Sequence, residues 1–124
     1  MKMNGSPLAV RVSMDRQLRE NSCAAPVQVL MDLHILSKED YLKWRNKKTD
    51  CLERVCMGNL NHLAFILDEI RRYGKELQLK ESVTYYRQWG KKNKAELQFT
   101  KTKNGVLERR YATHYIEIKG KDDE

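Results

Sequence analysis

The chain predicts an α+β fold: a helical core around one long amphipathic helix at about residues 51–79, then a C-terminal β-hairpin, with an N-terminal strand as the candidate third member of its sheet. Three observations carry that expectation. Leu52, Val55, Cys56, Leu60, Leu63, Leu67, Ile70 and Leu77 recur at helical spacing and lay one apolar stripe. Leu97 and Phe99 alternate with polar residues and lead to Asn104 and Gly105, the pair that best tolerates the positive φ angles of a tight hairpin. At 124 residues, 40% of them hydrophobic and clustered, the chain is long enough for one core and too short for two ordinary domains.

The elements follow in order. Residues 1–25 contain Leu8, Val10 and Val12 in strand-like alternation amid polar residues, which reads as an edge strand or an arm. Residues 26–79 form the helical core. Val27, Val29, Met31, Leu33 and Ile35 alternate as a strand would, yet Pro26 stands where a helix favours its first residue, and helix is the reading taken for 26–36. Ser37 is a natural cap for a short helix over 38–45, with Asp40 near its positive end and Tyr41, Leu42 and Trp44 to bury. Asp50 and Glu53 then resemble the opening of the long helix, with Gly58 and Gly74 as positions where it bends or ends.

Residues 80–118 form a basic helix-plus-hairpin region. Glu81 and Ser82 as caps, Tyr85 and Trp89 four apart, and Gly90 as terminator predict a helix over 83–89 that buries Trp89 and leaves Tyr86 as the exposed aromatic. The hairpin's return arm is open between two readings, since residues 106–113 fit a helix while "THYIEIK" alternates as a strand. Residues 119–124 are a polar tail expected to fray.

Composition sets the class of partner. Lys and Arg number 24 against 17 Asp and Glu, for a net charge of +7, which favours nucleic acid or an acidic protein. No run reaches the roughly 18 apolar residues needed to cross a bilayer, and charge arrives at Arg11 before a signal-peptide core develops, so no membrane association is expected. Cys23, Cys51 and Cys56 are an odd count, read as reduced thiols of a cytoplasmic protein. Cys51, Cys56 and His62 lack metal-ligand spacing, glycines are too scattered for a phosphate loop, and no cofactor is expected.

Between residues 80 and 110 stand nine cations, Lys80, Arg87, Lys91, Lys92, Lys94, Lys101, Lys103, Arg109 and Arg110, against Glu81, Glu96 and Glu108. That concentration, interleaved with aromatics able to stack on unpaired bases, points to a small non-catalytic protein that binds DNA or RNA. The expected contacts are Tyr86, Arg87, Lys91, Lys92, Lys94, Lys101, Lys103, Arg109 and Arg110, with Lys101 and Lys103 projecting from the hairpin as a wing. Two alternatives stand beside it. One is an adaptor or inhibitor whose basic face docks on an acidic protein. The other is a metal-independent ribonuclease with His114 as acid or base, Tyr111 beside it and Arg110 on the phosphate, a grouping that exists only if the segment is helical.

Overall fold

A computed structural model describes residues 6–90 and 95–118. The chain begins with helix α1 (Pro7–Asn21), strand β1 (Cys23–Ala24), helix α2 (Pro26–Asp32) and helix α3 (Lys38–Arg45). A 3₁₀ turn at Leu52–Arg54 precedes α4 (Leu60–Glu76), then β2 (Lys80–Val83), α5 (Gly105–Ala112) and β3 (Thr113–Ile116). The architecture is α+β, with an antiparallel sheet in the order β1-β3-β2. No helix among the described residues is long and apolar enough to cross a membrane.

The expected N-terminal strand is instead α1. Ser6 accepts a hydrogen bond from the Ala9 N–H at 3.1 Å and Pro7 takes the first turn, a start signal that outweighs a three-residue alternation. Val10, Met14 and Gln17, at helical spacing, turn inward, while Leu8 and Val12 face out. Arg11 then joins α1 to α4 through Glu69 at 3.0 Å and Glu76 at 3.1 Å. The third strand comes from Cys23 and Ala24, which pair with Ile116 and Tyr115.

Helices α2 and α3 form where Pro26 and Ser37 place them, and Ser37 accepts from the Asp40 N–H at 3.0 Å. Trp44 is fully buried, whereas Leu42, expected to bury, is exposed.

The long helix is shorter than its apolar stripe suggested. Gly58 adopts φ +93°, which a helix cannot accommodate, and Asn59 restarts the chain as a cap by accepting from the His62 N–H at 2.8 Å. Leu63, Ile66, Leu67 and Ile70 face the core. Leu60 and Leu77, counted on the predicted stripe, are exposed. Gly74 stays within α4 because the Tyr115 ring lies against it: a Cβ there would sit 2.6 Å from Tyr115 Cδ1.

The expected hairpin at Asn104–Gly105 is absent, since Asn104 has φ −66° and caps α5 by accepting from the Leu107 N–H at 3.1 Å. Both readings of the return arm hold in succession, helix to Ala112 and strand from Thr113. Nor do residues 83–89 form a helix. Their donors are spent elsewhere, with Thr84 N–H donating to Ala112 O and Gln88 N–H to Ala95 O, each at 2.8 Å, and Arg87 bridging Glu96.

A buried carboxylate organises this half of the core. Glu53 accepts from the Tyr111 hydroxyl at 2.8 Å and from the Lys101 N–H at 2.9 Å, while its own N–H donates to Phe99 O at 2.9 Å. Glu108 accepts from the N–H groups of Phe99 and Thr100 and from the Thr100 hydroxyl. Over this support Trp44, Tyr86, Phe99 and Tyr111 pack with centroids 5.2–5.4 Å apart along the chain of contacts Tyr86–Trp44–Phe99–Tyr111.

Two stability predictions follow from these contacts. Glu53→Gln either sets an amide donor against the Lys101 N–H or takes away the acceptor of the Tyr111 hydroxyl proton, so urea denaturation is expected to show a loss of about 1–3 kcal/mol. Gly74→Ala improves helix propensity but overpacks Tyr115, and a net loss of about 1–3 kcal/mol is expected by the same measurement, where a gain would contradict the close approach.

Candidate nucleic-acid interface

Trp89 is 40% exposed, although its spacing from Tyr85 predicted burial. The reversal has a local cause: without a helix over 83–89, the Trp89 N–H donates instead to Arg45 O at 2.7 Å and docks the indole at the C-terminal end of α3. There the Arg45 guanidinium lies 4.3 Å from the Trp89 ring centroid and 5.0 Å from that of Tyr86, and Tyr41 meets Trp89 edge-on at 5.9 Å. Arg45 Nε is buried without a hydrogen-bond partner among the described residues, so these π faces provide its main stabilising contacts.

Beside the indole runs a groove of about 630 Å³ lined by Asn46, Lys47, Lys48, Asp50, Gln88 and Trp89. Lys47, at φ +57°, turns the chain out of α3, and both lysines are exposed. Asp50 is held by Arg54 at 2.7 Å. Lys47 and Lys48 form no ion pair with a described residue. Neither lysine was among the contacts expected from sequence, because their run "NKK" reads as a loop until the fold brings Trp89 to it.

The expected contact residues divide among several places. Tyr86 is half-buried, and burial pushes its phenol well above the ordinary value; it belongs to the aromatic core and offers no free stacking face of the kind anticipated. Arg87 is exposed on the short ladder with Glu96. Lys101 and Lys103 are exposed in the turn leading to α5, so the predicted wing does not form; Lys103 lines a groove with the 40% exposed Tyr85. Arg109 and Arg110 line a further groove with Arg71. Lys91, Lys92 and Lys94 lie outside the described residues. Among the described residues, none of Lys80, Arg87, Lys101, Lys103, Arg109 and Arg110 is ion-paired, whereas Arg11, Arg16, Lys43, Arg54 and Arg72 all are.

The ribonuclease grouping is not brought together. Tyr111 is fully buried with its hydroxyl given to Glu53. His114 sits on a strand rather than a helix, so its ring leaves the sheet on the face opposite Thr113 and Tyr115, the neighbours that line the Arg110 groove. Its Nε2 lies 3.3 Å from the Tyr86 hydroxyl and its Nδ1 3.9 Å from Cys23 Sγ. A thiol, an imidazole and a phenol in line is a constellation that sequence separation concealed. Burial raises the Cys23 thiol and lowers the imidazole, so both favour their neutral forms, the opposite of an activated thiolate pair.

No protein-family model, curated protein or solved structure matches this chain.

Burial holds His114 below its ordinary 6.5, so the unfolded chain binds the extra proton first. Its contribution to stability is present above about pH 6.5 and is lost as pH falls from there toward the depressed value in the fold. Denaturation midpoints compared at pH 7.5 and 5 are expected to fall more for the parent than for His114→Gln, and equal slopes would contradict the burial effect.

Proposed function

We propose that this protein is a small, basic, non-catalytic nucleic-acid-binding protein that stacks an unpaired base on Trp89 and holds phosphates with the cations around it. One observation carries the reading: an exposed indole, backed by Arg45, opens onto a groove bearing two lysines without a described ionic partner. A stacked aromatic supplies sequence-tolerant affinity, and unpaired cations supply the salt-dependent part. Arg87, Lys101, Lys103, Arg109 and Arg110, none of them ion-paired among the described residues, supply further available cations elsewhere on the surface.

The acidic-partner alternative calls for apolar area beside the lysines. The apolar groove between α1 and the end of α2, about 790 Å³ and lined by Leu8, Val12, Met31 and Leu33, carries no lysine, and its Arg16 is neutralised by Asp32. The ribonuclease alternative loses support from the buried Tyr111 hydroxyl.

With about five phosphates neutralised, log affinity for a single-stranded oligonucleotide is expected to fall with log salt at a slope near −3.5, and Trp89→Ala to cost about 1–3 kcal/mol of binding. Fluorescence titrations at several salt concentrations measure both. Affinity that does not change between low and physiological ionic strength would rule the reading out.

A further inference from the structure

Arg71 of α4, Arg109 and Arg110 of α5, and Tyr115 of β3 surround a groove of about 260 Å³, which Glu81 of β2 also lines. Arg71 and Glu81 are far in sequence from Arg109, Arg110 and Tyr115, and the fold brings them together at the β2–β3 pair. Among the described residues, none of the three guanidiniums forms an ion pair or a side-chain hydrogen bond. Elsewhere Arg11, Arg16, Arg54 and Arg72 each hold a carboxylate. Glu81 forms no ion pair with a described residue either, although three arginines line the same groove.

Tyr115 supplies a fixed neutral donor. Its ring is 4% exposed and held against Gly74, and its hydroxyl has no hydrogen-bond partner among the described residues. Burial, and then Glu81, push the phenol up to about 12, against the opposing pull of Arg71 and Arg110, so its proton is in place at neutral pH.

Size and charge select the ligand. The groove is smaller than the roughly 300 Å³ at which pockets for whole drug-sized molecules begin, which suits a headgroup. Three guanidiniums and one carboxylate leave two positive charges, a match for a phosphate monoester at about −1.5 to −2 but an excess for a carboxylate or an internal phosphodiester. Guanidinium forks also fit phosphate oxygens in bidentate fashion.

We propose that this groove binds a phosphate dianion, free or as a terminal monoester, with Arg71, Arg109 and Arg110 clamping the oxygens and the Tyr115 hydroxyl donating to one of them. The assignment stands on the groove's own chemistry, and only a polynucleotide source of the phosphate depends on the function proposed above. The two sources are the phosphorylated end of a strand and free phosphate.

The test uses the full chain in two arms. Inorganic phosphate is titrated while the arginine Nε–H resonances are followed by NMR at constant ionic strength. Saturable shifts confined to Arg71, Arg109 and Arg110, weakened in Tyr115→Phe and lost in Arg71→Gln or Arg110→Gln, are expected. Non-saturable shifts, or shifts spread equally over all arginines, overturn the site. In the second arm, an oligonucleotide with a 5′-phosphate is compared with its 5′-hydroxyl counterpart. A preference of about tenfold, reduced to parity in Arg110→Gln but kept in Lys48→Ala, places the source at a strand end. Parity in the parent together with saturable phosphate shifts supports the free-phosphate source. Oligonucleotide binding without phosphate shifts overturns this site and leaves the function above standing, while saturable phosphate shifts without oligonucleotide binding do the reverse.

Discussion

The buried Glu53 carboxylate is the constraint on which the C-terminal half of the fold depends. It has no cationic partner among the described residues and is satisfied by the Tyr111 hydroxyl and the Lys101 N–H, so two segments distant in sequence must both be present before it can leave water at acceptable cost. Glu108 applies the same logic from α5, accepting the Phe99 and Thr100 donors that an isolated extended segment would otherwise bury unpaired. With residues 98–101 held in this way, Phe99 stacks on Tyr111 and reaches Trp44, whose indole N–H donates to Gln98 O at 2.8 Å.

The surface inherits its arrangement from that core. Tyr86 is drawn into the aromatic cluster, the strand-like pairing of 86–88 with 95–97 follows, and Trp89 is carried to the end of α3 beside Lys47 and Lys48. Two groups of arginines contrast. Arg11 and Arg16 of α1, which meet Glu69 and Glu76 of α4 and Asp32 of α2, fasten helices together. Those on α5, and Arg71, share a groove with Glu81 but form no ion pair with a described residue, which leaves them available to an external anion.

The parts of this molecule that were legible beforehand are those governed by neighbours in the chain. Ser37 announced α3 because its hydroxyl needs only the Asp40 N–H three residues on, and Pro26 announced α2 for the same local reason. The charge excess of residues 80–110 was equally plain. The errors arose where a local signal had two uses. Asn104 tolerates a turn but also caps a helix, and Glu108, reaching back to Phe99 and Thr100, favours the cap. Leu60 and Leu77 keep helical spacing with the buried Leu63, Leu67 and Ile70 yet are exposed, because they stand at the two ends of α4, as its first residue and its C-cap.

By itself, the order of residues determined a one-core α+β chain, its helix starts at Pro26 and Ser37, and a cation-rich C-terminal third, since composition, caps and short-range spacing are properties of adjacent residues. Tertiary structure alone decided that Cys23–Ala24 completes the sheet, that Trp89 is exposed while Tyr86 is drawn inward, and that Arg71 joins Arg109 and Arg110. Each of these depends on which distant group satisfies a buried donor or fills a space: Arg45 O for the Trp89 N–H, and Gly74 for the Tyr115 ring. Such pairings cost loop closure and are repaid only when the whole core assembles, so no window of the chain contains them.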